Sequence, residues 1–363
     1  MINKNEQISP FLVFFLVLKV QIGVGVLGFQ RLIIKSAGND AWIAVIAAGL
    51  LFSIVIWCMF TLLNSQKQDL MGIHTQLFGK VLGGFLNMIW ITYWLLMGIA
   101  VYRAYVEVVQ AWMFPQINVM TFSIVFALLI YYTVSGGFQV LTGICFLGVI
   151  IPSYLILTIF FPLEYTEFRN LLPVWNHSYK EIALATRDMS LSYMGFSTLL
   201  MFYPLIKHQK KANKWAQLAN ILSILSYLLL TIVSIGFYSE NQISRYVWAT
   251  LSFWSIVEVP FIERFEYIGI ATWVIFILPN ICLFIWAATK GTSVLFKVEP
   301  NRISILFLVI LIVMSLALKD RETVNTFQDY MSYVGFILYT VYIPILLCLS
   351  YIMSKIRKKT HEN

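Results

Sequence analysis

The chain has 363 residues, of which 60% are hydrophobic and only 12% are charged. An ordinary soluble domain has roughly 25% charged residues, so this composition excludes a water-soluble globular protein. The net charge is +8, but the basic residues lie in short clusters between apolar runs rather than along one polar face, which excludes nucleic acid as the partner.

Ten apolar segments follow one another along the chain. A bilayer core is about 30 Å thick and takes about 20 apolar residues as a helix, whereas an open sheet would leave backbone groups unpaired in lipid. The predicted spans are approximately 10–33, 41–63, 82–110, 119–135, 141–162, 188–206, 215–238, 267–288, 303–318 and 333–354. The sequence therefore predicts an all-α integral membrane protein in which residues 1–363 form a single polytopic domain.

The charges between the spans predict the orientation. Ten spans place both termini on one side, which collects 14 basic and four acidic residues, whereas the other side collects 10 basic and 13 acidic residues. Because cytoplasmic loops are enriched in Lys and Arg, both termini, including the tail 355–363, are predicted to be cytoplasmic. The basic runs 207–211 and 355–359 also suit anionic lipid headgroups.

The first and sixth spans are predicted to be interrupted helices. Three glycines fall within residues 23–28 of the first span, and each costs a helix up to roughly 1 kcal/mol relative to alanine. Small and hydroxylated residues surround Gly195 in the sixth span, and Pro204 follows. Interrupted helices are tolerated in a bilayer where they line a cavity.

These two spans are each the first of five, which predicts an inverted five-plus-five repeat with halves at about 10–162 and 188–354. Corresponding interrupted segments then mark a site near the midplane. The half-helix after Gly25 would present N–H groups to a carboxylate, and the carbonyls around 20–22 would suit an ammonium group, so an amino acid matches both. The alternative is that the glycines serve close helix packing. The predicted ligand-binding residues are Gln21, Ile22, Gly23, Val24, Gly25, Val26, Tyr93, Met97, Tyr193, Gly195, Phe196, Ser197 and Thr198.

Lys19, Arg103 and Glu107 are charged residues that lie within the predicted spans. A lysine at a helix centre costs about 2.5–3.5 kcal/mol on insertion scales, so Lys19 either reaches back toward the near side or has a function, such as a cation substitute or a proton-linked group. Arg103 and Glu107 are four residues apart on the third span, which predicts an ion pair on one helix face. That pair is either a solvated pair at the outer end of the helix or an outer gate.

Three motifs resemble the B subunit of GerA-type spore germinant receptors. They are the glycine run 23–28 followed by Arg31, the segment Asn170-Leu171-Leu172-Pro173-Val174, and Phe261-Ile262-Glu263-Arg264-Phe265-Glu266 before the eighth span. Residues Glu263, Arg264 and Glu266 are expected to serve structure or subunit contact rather than ligand binding. The resemblance covers residues 8 to 359, although Ser197 stands where family members often have an acidic residue.

This resemblance implies a LeuT-like fold of the amino acid–polyamine–organocation transporter superfamily. It implies a location in the inner membrane of a bacterial spore and the binding of a small nutrient, such as an amino acid or a sugar. The expected partners are a membrane-associated A subunit and a lipoprotein C subunit.

Three functions remain open from the residues. The chain is a sensor that binds a nutrient without net transport, a proton-coupled amino acid transporter of the same fold, or an assembly scaffold that binds nothing; the resemblance favours the sensor. We expect no enzyme, since the sequence has no nucleotide-binding loop, activated nucleophile or carboxylate pair in a plausible cleft. The scattered histidines predict no metal site, and no cofactor is expected.

Overall fold

The structure is a computed structural model that describes residues 6–260 and 262–362, without the side chains of residues 240, 241 and 357–362. Three parts of the sequence analysis therefore lie outside the described residues: Lys4, one of the basic residues on the N-terminal side, Phe261 of the motif before the eighth span, and the side chains of residues 357–359 in the basic run 355–359. The α-helices of the described residues are α1 (Leu12–Gln21), α2 (Phe29–Ala37), α3 (Ala41–Gln66), α4 (Leu70–Trp112), α5 (Val119–Ser135), α6 (Gly137–Ile150), α7 (Phe160–Glu164), α8 (Tyr179–Tyr193), α9 (Leu199–Phe202), α10 (Ala212–Phe237), α11 (Glu240–Ile243), α12 (Ala249–Trp254), α13 (Phe265–Phe296), α14 (Pro300–Ala317), α15 (Arg321–Ile337) and α16 (Ile343–Glu362).

Shorter helical turns join several of these helices. The 3₁₀ turns are Val24–Leu27, Gly38–Asp40, Ile151–Ile159, Phe168–Leu171, Phe196–Thr198, Tyr203–Leu205 and Gln209–Lys211, and a π-helical turn spans Leu338–Tyr342. Apart from two isolated bridges, the described residues form no β structure. The prediction of an all-α protein is confirmed.

Every predicted span coincides with a helix or with a helix interrupted by such a turn. Seven helical stretches are long and apolar enough to cross a membrane, and three shorter apolar helices, Leu12–Gln21, Val119–Ser135 and Phe196–Leu205, account for the remaining spans in the described residues. Two of these short helices belong to the first and sixth spans. We call α1, the turn Val24–Leu27 and α2 helix 1, and we call α8, the turn Phe196–Thr198 and α9 helix 6.

Besides α4, which begins at Leu70 instead of near 82, two helices begin earlier than the apolar pattern predicts. Helix 6 begins at Tyr179 instead of near 188, and α15 begins at Arg321 instead of near 333. Both first turns are polar, and a capping box in which Ser178 and Glu181 bond reciprocally fixes the start of α8. The spans were predicted from apolar segments, and such segments include only the part of a helix that faces lipid or core. The polar first turns of these helices were therefore not predicted.

The loops between the helices gather on two faces. The N-terminal face holds residues 6–8 and the loop 206–211, where Ile8 donates its N–H to the Leu205 carbonyl at 2.8 Å and accepts from Lys207 at 2.9 Å. These two bonds join the start of helix 1 to the end of helix 6. The opposite face holds residues 38–40, 165–178, 239–260, 262–264 and 318–320.

A buried carboxylate organises the opposite face. Asp40 is fully buried and accepts hydrogen bonds from the backbone N–H groups of Trp175, Asn176 and His177 at 2.6 to 3.0 Å, and from the His177 ring at 3.1 Å. A buried charge needs such partners. This carboxylate therefore attaches the long loop before α8 to the turn between α2 and α3.

Candidate functional site

Helix 1 is interrupted where the glycine run predicts. The helix α1 ends at Gln21, a 3₁₀ turn covers Val24–Leu27, and α2 starts at Phe29. A side chain at Gly28 would collide with the Val247 carbonyl, so glycine allows the loop 239–264 to approach helix 1 closely. Thr250 from the same loop donates its hydroxyl to the Val26 carbonyl at 2.8 Å, which satisfies one backbone group of the interrupted helix.

Helix 6 is interrupted at Gly195, where φ is +136°. A Cβ at this position would lie 2.6 Å from the Val20 carbonyl oxygen, so the interruption abuts helix 1 directly. The N–H groups of Gly195 and Ser197 both donate to the hydroxyl of Tyr339, at 2.9 and 3.0 Å. Tyr339 lies in the π-helical turn between α15 and α16. Its side chain therefore occupies the N–H end of the second half of helix 6.

A cavity of about 350 Å³ extends from the interruption of helix 1 toward the opposite face. Four predicted ligand-binding residues line it: Gly23, Val24, Gly25 and Met97. The deeper part is formed by helix 1, helix 6, α4 and α13, and the outer part by α15 and by Trp248 of the loop 239–264. The cavity therefore joins a membrane-embedded pocket to one face of the bundle.

Asn280, Ser192 and two glycines form the polar floor of the cavity. A Cβ at Gly23 would lie 3.3 Å from the Asn280 Nδ2, and a Cβ at Gly25 would lie 3.2 Å from the Ser192 Oγ. Asn280 is 1% exposed, and its Oδ1 has no hydrogen-bond partner among the described residues. Buried polar atoms are normally paired, so this oxygen is an unsatisfied acceptor beside the cavity.

The sequence analysis missed Asn280, although a signal existed. It directly follows Pro279 inside α13, and a polar residue beside a proline stands out in the predicted eighth span. Phe284 lies one turn further along α13 and also lines the cavity. The missed floor residues come from α13 and from the last turn of α8.

Several predicted ligand-binding residues form hydrogen bonds within the protein instead of lining the cavity. The Gln21 amide donates to the Asn220 Oδ1 at 2.7 Å and accepts from the Ser223 hydroxyl at 3.1 Å, so its polar atoms are already paired. The Tyr193 hydroxyl donates to the Val45 carbonyl at 3.3 Å, and the Ser197 Oγ accepts from the Trp94 indole at 3.0 Å. The other predicted residues that are not among those lining the cavity are Ile22, Val26, Tyr93, Gly195, Phe196 and Thr198.

Arg103 and Glu107 have partners other than each other. Arg103 donates to the carbonyls of Leu318 and Lys319 at 2.7 and 3.2 Å, which anchors the loop before α15. Glu107 pairs instead with Arg321 at 3.2 Å. The predicted pairing within α4 is therefore wrong, because an orphan carbonyl pair at the end of α14 competes for the guanidinium. The Glu107–Arg321 pair lies at the outer part of the cavity.

Lys19 is fully buried, so it does not reach back to the near side. Its ammonium donates to the Gly148 carbonyl of α6 at 3.1 Å and lies over the Phe276 ring of α13. The lysine thus joins helix 1 to two neighbouring helices just below the interruption. The salt bridges of the described residues include none to Lys19.

The motif before α13 lies away from the cavity. Arg264 pairs with Glu266 at 2.8 Å and packs its guanidinium over the Tyr267 ring at 4.0 Å. Glu263 is exposed. Neither these residues nor Glu263 is among the residues that line the cavity.

The chemistry of the cavity floor is that of a binding site. It offers amide, hydroxyl and backbone groups among apolar side chains, and the charged side chains that line the cavity belong to α2, α4 and α15. Such a floor suits a neutral or zwitterionic small molecule. Within the described residues, no cluster of His, Cys, Asp and Glu could hold a metal ion.

Solved structures with this architecture are transporters. The chain is similar to a Na⁺-coupled sialic acid symporter (TM-score 0.66, 11% identity, 95% of this chain and 89% of that chain). It is also similar to MhsT, solved in complex with L-phenylalanine (TM-score 0.57, 12% identity, 94% and 98%). The fold is therefore the LeuT-like transporter fold, with helices 1 and 6 discontinuous.

Sequence relatives give the family. A family model described as spore germination protein matches residues 7–324. The chain is 38% identical to spore germination protein GerQB of Bacillus cereus over 97% of this chain and 98% of the relative. It is 24% identical to spore germination protein A2 of Bacillus subtilis (strain 168) over 88% and 89%. The chain belongs to the spore germination protein family and is an integral membrane protein.

Proposed function

We propose that this chain is the nutrient-sensing subunit of a spore germination receptor. It binds an amino acid or another small nutrient in the cavity beside Gly25 and changes conformation without net transport. The observation that carries this proposal is the meeting of both interruptions and the unpartnered Asn280 Oδ1 at one cavity floor. The chain would lie in the inner spore membrane with both termini on the cytoplasmic side, together with A and C subunits.

The alternatives differ in measurable ways. A transporter of this fold would accumulate its substrate when reconstituted alone, because the fold supports alternating access. A scaffold would tolerate a bulky residue at Gly25. A sensor would bind the nutrient alone and would signal only with its partner subunits.

The first test fills the cavity. Gly25→Leu places a branched side chain against Ser192 and is expected to abolish the response to one nutrient while the protein stays in the membrane. Spores with wild-type protein or the variant would be exposed to a panel of amino acids and sugars, with subunit amounts measured by blotting.

The matched control is Gly143→Leu on α6, where a Cβ meets no atom within 4 Å. It is expected to respond as wild type does. An unchanged response from Gly25→Leu would contradict the proposed pocket.

Lys19 carries a second, separate hypothesis. We propose that its ammonium is needed for the conformational response, because it joins helix 1 to α6 and α13 beside the pocket. Replacement of Lys19 by an apolar residue of similar size removes the cost of burying an amino group without an ion-pair partner. Lys19→Met is therefore expected to keep its thermal stability and to lose at least part of its nutrient response; a full response from this variant would remove the functional role.

A further inference from the structure

The carbonyl ends of both interrupted helices meet at one tyrosine. The Tyr227 hydroxyl of α10 lies 2.8 Å from the Gln21 carbonyl, at the end of α1, and 3.1 Å from the Ser192 carbonyl, at the end of α8. Tyr227 is fully buried, and its ring packs against Phe29 and Tyr193 at centroid distances of 4.9 and 5.2 Å. A single O–H donor is thus shared by the last carbonyls of two helices.

Carbonyl groups at such ends have a known second use. The unwound backbone and the carbonyl ends of half-helices coordinate Na⁺ or a proton in transporters built from discontinuous helices. A cation there neutralises dipoles that would otherwise remain unpaired in a water-poor interior. A hydroxyl that donates to the same oxygens satisfies them without any ion.

The neighbouring residues of α10 hold this tyrosine and the end of α1 together. The Asn220 amide donates to the Gly49 carbonyl at 3.0 Å and accepts from the Gln21 amide, and Ser223 donates to the Gln21 Oε1. Each of these contacts is buried. The junction is therefore bonded to α3 and α10 by neutral side chains.

We propose that Tyr227 is a positioning residue that takes the place of a metal cation at the junction of helices 1 and 6. Nutrient binding in the adjacent cavity then requires neither Na⁺ nor K⁺. This inference rests on the proposed function only for its second test, since the junction exists whether or not the cavity binds a nutrient.

The first experiment uses the cations alone. The purified full-length protein is unfolded thermally in NaCl, KCl and choline chloride at equal ionic strength. Because any ion that binds only the folded state raises its stability, the expected result is the same midpoint in all three salts. A higher midpoint in NaCl or KCl than in choline chloride would overturn the proposal.

The second experiment removes the hydroxyl. Tyr227→Phe leaves two buried carbonyls without their donor, and we expect the nutrient concentration for half-maximal germination to rise at least tenfold, with little change in the maximal rate. The probe is the amino acid or sugar of the panel that triggers wild-type spores. The matched control is Tyr132→Phe on α5, since Tyr132 is 78% exposed.

The outcomes separate this proposal from the proposed function. A dose response of Tyr227→Phe equal to that of Tyr132→Phe would overturn the positioning role. A full response from Gly25→Leu would instead contradict the proposed nutrient pocket. The salt experiment would still test the role of Tyr227, because it uses no nutrient.

Discussion

The two interrupted helices look alike in sequence and differ in use. The interruption of helix 1 opens into the cavity at Gly25, whereas the N–H groups of helix 6 are closed by the Tyr339 hydroxyl. A symmetric pair of half-helices would share a ligand equally. Here the interruption of helix 1 lines the pocket, whereas the N–H groups at the interruption of helix 6 are already bonded to a side chain.

This difference has an energetic basis. A half-helix exposes orphan N–H groups at its start, and leaving one buried and unpaired costs about 1–3 kcal/mol. Helix 6 avoids that cost permanently through Tyr339. The interruption of helix 1 lines the cavity instead, so its backbone is the part of the site that a bound molecule can reach.

The largest expected effect comes from the glycine of helix 6. Gly195→Ala would force alanine into a positive φ and would place its Cβ 2.6 Å from the Val20 carbonyl oxygen. We therefore expect the free energy of unfolding to fall by roughly 3 kcal/mol or more. The Cβ of Gly23→Ala would contact only the end of the Asn280 side chain, so this variant is expected to lower the free energy of unfolding by less than about 1 kcal/mol. Thermal unfolding of both purified variants measures the difference, and equal stabilities would remove the asymmetry.

A smaller effect is expected from the tyrosine that closes helix 6. Tyr339→Phe leaves the N–H groups of Gly195 and Ser197 without an acceptor and should lower the stability by about 2 kcal/mol. Tyr333→Phe, in the preceding helix α15 and 62% exposed, is the control and should melt as wild type does. Equal unfolding midpoints for the two variants would show that the Tyr339 hydroxyl does not stabilise the interruption of helix 6.

The smallest effect on stability is expected at the cavity floor. Asn280→Leu keeps the number and branching of the side-chain heavy atoms and removes an unpartnered oxygen, so stability should change by less than about 1 kcal/mol. The nutrient concentration for half-maximal germination should nevertheless rise at least tenfold. An intact dose response would show that this amide does not contact the nutrient, and it would leave the backbone of helix 1 as the recognition element.

The sequence predicted the spans and both interruptions because these depend on local composition. The glycine cluster at 23–28 and the small and hydroxylated residues around Gly195 weaken a helix wherever it packs, so no tertiary information was needed. The division into repeats at 10–162 and 188–354 stays a prediction.

The partners of the interruptions could not be predicted from local pattern. Tyr227 and Tyr339 lie in apolar helices among other tyrosines, and only packing determines which hydroxyl reaches which backbone group. Arg103 illustrates the same limit, because its spacing from Glu107 suggested a pair while the guanidinium donates to backbone carbonyls at the end of α14. Distance along the chain carries no information on such contacts.

The buried carboxylate of Asp40 has a consequence for biogenesis. The carboxylate emerges with the first two helices, but the N–H groups of Trp175 to His177 that it binds are synthesised much later. The carboxylate must therefore stay hydrated until the loop before α8 arrives, and only then can water leave the face above α2 and α3. Sealing of that face is thus a late step of insertion that reports on the arrival of the second half of the chain.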